Sequence, residues 1–253
     1  MITVIKLGGR VQSEPALIAA LCERWKKNPG SFCVVHGGGD EISVLQRQLG
    51  REPLFVNGRR VTTSEDMELV RMVLSGSANK KLVSALSVAG VLSVGVSGED
   101  GGLISAEPID ESFGRAGKPT AVNPIVIETL LGSLFLPVIS PVGSDATSHD
   151  GAALNMNGDD AAAAIAAALA GELLLIADVS GVMNARQNLI PMIDQRGVDA
   201  LVADGTVSRG MQVKLEAGFA ALAGGAIRVR IGGLEAISKR DAGTLLSLIP
   251  SMK

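Results

Sequence analysis

The sequence predicts an α/β fold: a three-layer αβα sandwich around an open, mainly parallel central sheet. Three observations predict it. Short β-branched-rich runs are apolar throughout rather than alternating, as strands buried on both faces are. Helical patterns separate them. Glycine clusters punctuate the strand ends. The first run, 2–7, reads as the opening strand, and 32–35 as the second. A helix is expected over 40–49, where Ile42, Leu45 and Leu49 fall at helical spacing and Gly50 stops the pattern. A second is expected from Thr63, which has capping-box spacing to Asp66, through Met67, Val70 and Leu74 towards Gly76. Further strands are expected at 92–96, 137–139, 173–176 and 227–231, and a hairpin insertion or surface loop over 98–123. Alanine dominates 160–170, which favours a closely packed helix ending at Gly171.

The 253 residues suffice for one large α/β unit or two closely joined lobes. Mean hydropathy is +0.34, yet charges interrupt every apolar stretch before the roughly 18 residues that a spanning helix needs. With the apolar run following Met1 directly and no charged leader before it, a cytoplasmic protein is expected. Cys22 and Cys33 lack CxxC spacing and read as buried free thiols. A net charge of -3, no basic run and 2% aromatic residues disfavour nucleic acid as a partner. An anionic substrate would have to be held by a few placed cations and by helix N-termini.

Two turns offer such places. Lys6-Leu7-Gly8-Gly9 closes the first strand, and Val35-His36-Gly37-Gly38-Gly39-Asp40 closes the second and opens a helix. In open α/β sheets ligands bind beyond the carboxyl ends of the strands, where glycines let backbone N–H groups approach an anion. Neither turn fits the spacing of a dinucleotide or Walker-type loop. Lys6 near the end of an apolar strand is an expensive place for an ammonium unless it faces an anion. His36 reads as a packed, hydrogen-bonded histidine rather than a base.

The set formed by these two turns, Asn57-Gly58-Arg59-Arg60-Val61-Thr62, Asn155-Met156-Asn157-Gly158-Asp159, Asp178-Val179-Ser180-Gly181-Val182 and Gly210-Met211-Gln212-Val213-Lys214 resembles the acetylglutamate kinases. The motifs come in that family's order across nearly the whole chain. The resemblance implies the amino-acid kinase (carbamate kinase-like) fold and ATP-dependent phosphorylation of the side-chain carboxylate of N-acetyl-L-glutamate, a step of arginine biosynthesis. It also implies that Lys6 and Lys214 flank the transferred phosphoryl group while Asp159 holds them. Gly38 and Gly39 would approach the substrate through their amides, with Arg60, Asn155 and Asn157 binding its other groups. Gly8, Gly9, Asp178, Val179, Ser180, Gly181, Val182, Met183, Thr206, Val207 and Ser208 would line the nucleotide site. Residues 1–171 would form the acylglutamate-binding and dimerising lobe, and 172–253 the ATP lobe.

The residues suit that chemistry. A carboxylate is ionised at neutral pH and needs no general base, so the demand is to neutralise charge between two anions. Two lysines on opposite sides meet it. Asp159 is expected at the N-terminus of the alanine-rich helix, and Lys214 in the first turn of another. Arg60 offers a planar fork for a carboxylate, with its neighbour Arg59 solvated. Aliphatic side chains should sandwich the adenine, and Mg²⁺ should ride mainly on nucleotide phosphates and water, so no protein metal site is expected. The role of Arg10 is open. Gly158 stands where the family more often has alanine, which should loosen the loop.

N-succinylglutamate or a carrier-linked aminoadipate is an alternative substrate, and a non-catalytic amino-acid-binding regulatory subunit is an alternative of another class. A homodimer insensitive to arginine is expected. In the resembling family the arginine-inhibited members carry an N-terminal helix, absent before Ile2 here, and a segment pattern that 232–243 lacks.

Overall fold

The computed structural model describes residues 1–56, 58–148 and 151–249, apart from the side chains of Arg10 and Ser13. Asn57 and the Arg10 side chain, both raised by the sequence, lie outside the described residues. Strand β1 (Thr3–Leu7) leads to α1 (Pro15–Lys27), β2 (Phe32–Val35) and α2 (Gly39–Gln48). A two-residue hairpin, β3 (Phe55–Val56) with β4 (Arg59–Arg60), precedes α3 (Ser64–Val70), a π-helical stretch (Arg71–Ala78) and α4 (Asn79–Val88). Then come β5 (Ser93–Ser97), β6 (Ile104–Pro108), β7 (Ala116–Val122), α5 (Ile125–Gly132), β8 (Leu136–Ser140), β9 (Val142–Asp145) and β10 (Ala153–Met156). The remainder is α6 (Gly158–Ala168), β11 (Glu172–Ile176), β12 (Met192–Ile193), α7 (Gln195–Ala203), α8 (Arg209–Ala223), β13 (Arg228–Gly232), α9 (Glu235–Ser238) and β14 (Thr244–Leu246).

The main sheet has eight strands in the order β12-β14-β13-β11-β1-β2-β8-β5. Its six inner and right-hand strands, β13 to β5, are the six apolar runs of the sequence, and every pairing among them is parallel. Their register aligns the carboxyl ends: Lys6 stands beside Val35 on one side and Leu175 on the other. All residues of β1, β2, β8 and β11 are buried, so helices cover both faces. One core cluster runs through β1, β2, β8, β11 and β13 together with α1, α6 and α8. The sheet therefore crosses the 171/172 junction without a break, because β1 pairs directly with β11.

Departures from expectation have local causes. The 98–123 segment does contain the hairpin, β6 with β7, but it is no surface loop: it closes a four-stranded barrel, β10-β7-β6-β9, whose Leu103, Ile104 and Ala106 are fully buried. The helix from Thr63 is capped as expected, Thr63 Oγ1 accepting from Asp66 N at 3.1 Å, but it does not end at Gly76. Helical backbone at Val70, Arg71, Ala78 and Asn79 carries it through the π stretch into α4. A glycine stops a helix only where a left-handed turn is used, as at Gly50 with φ +73°. Of the expected apolar face on α2, Ile42 is buried, whereas Leu49 is 56% exposed; Ser43 and Gln46 take the buried positions. Both cysteines are buried and free, and burial pushes the Cys33 thiol up to about 12.

Candidate active site

At the carboxyl end of the sheet, three ionised groups from three elements meet. Lys6 Nζ lies 2.8 Å from Asp159 Oδ1, and Lys214 Nζ lies 3.0 Å from Asp159 Oδ2 and 3.2 Å from Oδ1. Lys6 and Asp159 are buried, and the Lys214 side chain is 15% exposed. Burial raises the Asp159 pKa, but the two lysines outweigh it and hold the carboxyl below its ordinary value. Burial lowers the Lys214 pKa, and neighbouring Lys6 adds to this, while Asp159 pulls the other way. Asp159 is not the helix cap. Asn157 is, its Oδ1 accepting from Asp159 N at 2.8 Å, which leaves the Asp159 carboxylate free for both ammonium groups. Lys214 is the sixth residue of α8 rather than a first-turn residue, and Ser208 caps that helix by accepting from Met211 N at 3.3 Å. One turn in, the dipole no longer opposes the cation, which is instead placed to reach across to α6.

Two cavities flank this cluster and share Gly58, Asn157 and Asp159 as lining. The first, ≈ 290 Å³, is lined by Lys6, Gly9, Gly38, Gly39, Arg60, Asn155 and Asn157 together with apolar Ile42, Leu74, Ile109 and Met156. The second, ≈ 650 Å³, is lined by Asp178, Val179, Gly181, Val182, Met183, Thr206, Val207 and Ser208, with Lys214 at its edge. Its apolar lining is aliphatic throughout. Of the expected nucleotide set, Ser180 falls outside the lining, and Gly8 lines neither cavity. The Gly8 N–H is already donated to Ile176 O at 3.0 Å, and a Cβ there would stand 2.8 Å from the same carbonyl. Gly8 serves close packing of β1 on β11, leaving Gly9 at the cavity wall.

Arg60 is buried and donates to Gly39 O at 2.7 Å, to Ser43 Oγ at 2.8 Å and to Gln46 Oε1, with its guanidinium 4.6 Å over the Phe55 ring. Burial lowers its pKa, opposed by Asp66 and Asp40. Ser43 and Gln46 on α2 were missed by sequence reading; their spacing of three, on the face otherwise expected to be apolar, is the signal that was there. Asn155 Nδ2 donates to buried Thr62 Oγ1 at 3.0 Å. Arg59 is not solvated as expected: it donates to Asp160 Oδ2 at 2.6 Å, tying the β3–β4 hairpin to the first turn of α6. Gly158 sits in a close-packed position. As the first residue of α6 it passes Lys6, where a Cβ would lie 3.2 Å from Lys6 Cε.

His36 is fully buried and is held neutral by its surroundings, as expected of a packed histidine. Gln12 was also missed. With its amide oriented to satisfy both groups, it donates to Gly37 O and accepts from Gly37 N, each at 3.2 Å, joining the two glycine turns.

The model of the amino acid kinase family matches residues 1–233. The chain belongs to the amino acid kinase family. An acetylglutamate kinase of Jannaschia sp. (strain CCS1) is 42% identical over 228 residues, covering 87% of this chain and 78% of the relative. One of Chloroflexus aurantiacus (strain ATCC 29366 / DSM 635 / J-10-fl) is 39% identical over 247 residues, covering 96% and 95%. Among solved structures, smu.665 from Streptococcus mutans UA159 superposes with a TM-score of 0.85 at 29% identity, covering 98% of this chain and 99% of that one. The carbamate kinase of Giardia shares the fold, with a TM-score of 0.71 at 17% identity, covering 98% and 99%.

Proposed function

We propose that this kinase transfers the γ-phosphoryl group of ATP to the side-chain carboxylate of N-acetyl-L-glutamate, giving the 5-phosphate used in arginine biosynthesis. One observation carries the reading: Lys6 and Lys214, bridged by Asp159, stand at the junction of the two cavities. Both reactants are anionic, so the barrier falls chiefly through charge stabilisation and positioning. ATP would occupy the larger cavity, whose aliphatic walls suit a purine, and the acid the smaller one. Asp159 holds the two ammonium groups in place, one towards each cavity, and the acid's carboxylate attacks the γ-phosphorus as ADP leaves. The first-turn amides of α2, which have no intrahelical acceptor, receive the transferring oxygens. Arg60 anchors the α-carboxylate and Asn155 the acyl-amino portion. Mg²⁺ comes with the nucleotide phosphates, since the carboxylate of Asp159 is already committed to two lysines.

In this reading residues 1–171 chiefly bind the acid and 172–253 chiefly bind ATP. The enzyme works in the cytoplasm as a homodimer insensitive to arginine. Exposed Val88 and Leu92, beside the edge strand β5, support a partner-covered face there.

Purified protein given ATP, Mg²⁺ and each of N-acetylglutamate, N-succinylglutamate and a carrier-linked aminoadipate, with acyl phosphate trapped by hydroxylamine, tests the reading. Preference for N-acetylglutamate is expected. Preference for either other acid transfers the assignment to it, and no acyl phosphate from any would restore the non-catalytic alternative. Light scattering with and without arginine tests the assembly: a hexamer, or inhibition by arginine, overturns it.

A further inference from the structure

Behind the second glycine turn lies a buried polar chain that the chemistry above does not use. His36 Nδ1 is 2.9 Å from Gly37 O, and His36 Nε2 is 3.1 Å from Asn79 Nδ2. The same Asn79 Nδ2 donates to Val138 O at 2.9 Å, and Asn79 Oδ1 accepts from Lys80 Nζ at 3.2 Å. Both residues are fully buried. The Val138 carbonyl fixes the amide's orientation, because a flip would set oxygen against oxygen. With Nδ2 fixed as a donor, His36 Nε2 must accept, and the ring proton must sit on Nδ1, donating to Gly37 O. A single neutral tautomer is therefore specified. Burial disfavours protonation, Lys80 adds to this, and the Gly37 carbonyl and Glu41 oppose it.

Two features of the fold exist around Asn79. It stands where the π-helical stretch ends and α4 begins, and π segments change the angular position of everything after them. It also lies over Gly95 of β5, where a Cβ would come 1.8 Å from Asn79 Oδ1. Any larger residue at 95 would displace the amide.

We propose that Asn79 is a positioning residue for phosphoryl transfer: through His36 it locks the Gly37 carbonyl and so aims the Gly38 and Gly39 amides at the transferred group. The proposal rests on the phosphotransfer reading. Gln12 also bonds Gly37, donating to its carbonyl and accepting from its N–H, so two side chains hold the turn. Phosphoryl transfer needs these donors set before the transition state forms, and a displacement of about 1 Å in such a group costs on the order of a hundredfold in rate.

The test combines a spectroscopic and a kinetic measurement. The chain has only 2 histidines, so ring ¹⁵N spectra of histidine-labelled protein contain two ring systems, assigned with His149→Gln. Wild-type His36 is expected as the Nδ1–H tautomer, still neutral at pH about 6.5, where an ordinary histidine is half protonated. Asn79→Ala should lose that signature and lower kcat roughly tenfold to a hundredfold, with KM for ATP and acid changed less than about threefold. Gly95→Ala reaches the amide from the opposite side and should reproduce the effect, while the double variant should be no worse than Asn79→Ala alone. An Nε2–H tautomer in the wild type overturns the proposal. So does an unchanged kcat in a folded variant whose tautomer signature is lost. Wild-type protein that phosphorylates no acid overturns the phosphotransfer reading and this proposal with it, whereas normal wild-type turnover with unaffected variants overturns this proposal alone.

Discussion

Replacing Asp159 by asparagine removes one charge and almost no volume, so the consequences are electrostatic. In the wild type the carboxylate sits 2.8 Å from one ammonium and 3.0 Å from the other, 4% exposed. Without it, two buried ammonium groups face each other. Removing one member of a buried ion cluster costs about 3–5 kcal/mol. The lower end applies, because both lysine side chains retain slight exposure, 10% and 15%, and the amide oxygen still accepts from one of them. For a chain of this size about 3 kcal/mol corresponds to a fall in Tm of roughly 6–12 °C. The Lys214 pKa, already lowered by burial and by Lys6, loses the group that raises it. A larger share of the population then lacks that proton at any given pH, and kcat should fall by on the order of a hundredfold or more and recover partly as pH is lowered. Thermal melts and hydroxamate-trapping assays across pH 6–9, a window set by the downward direction of the Lys214 shift, measure both consequences. A Tm and kcat equal to wild type would refute the reasoning, since the two lysines would then be independently solvated.

The remaining expectations are simpler. Lys6→Ala and Lys214→Ala should each lower kcat by roughly two to three orders of magnitude in the same assay, and wild-type turnover in either would remove it from the chemical step. Arg60→Lys cannot reach from a single nitrogen the acceptors that two guanidinium nitrogens serve, and should raise KM for the acylglutamate about tenfold while leaving KM for ATP nearly unchanged; an equal effect on both would make Arg60 a tie between lobes. Gly8→Ala should destabilise by about 1–3 kcal/mol in denaturant melts, because its Cβ meets the Ile176 carbonyl at 2.8 Å. Acid titration of the wild type should lose stability as pH falls through the Asp159 pKa. That value is depressed in the folded state, so its contribution is full above the ordinary carboxyl range, and in Asp159→Asn this part of the acid limb should vanish.

The amino-acid sequence by itself determined the layers of this protein. Buried parallel strands must be apolar on both faces, so 32–35 and 173–176 could be read directly, and the capping of α3 by Thr63 was local enough to be legible. The motifs also named Lys6, Asp159 and Lys214. What no local pattern contains is which groups meet. Asp159 reaches its lysines because Asn157 takes over the capping of α6, and Lys214 comes from a helix 55 residues further on. Arg60 owes its setting to two polar residues on a face that helical spacing alone reads as apolar. The continuation of α3 through Gly76 into α4 was illegible because glycine ends a helix only where the tertiary structure bends the chain away. Here the path instead carries Asn79 over Gly95 to His36. Periodicity records burial. Partnership between charged and polar groups far apart in sequence is set by the packing of the elements, because a buried polar group is stable only where the fold brings it a partner.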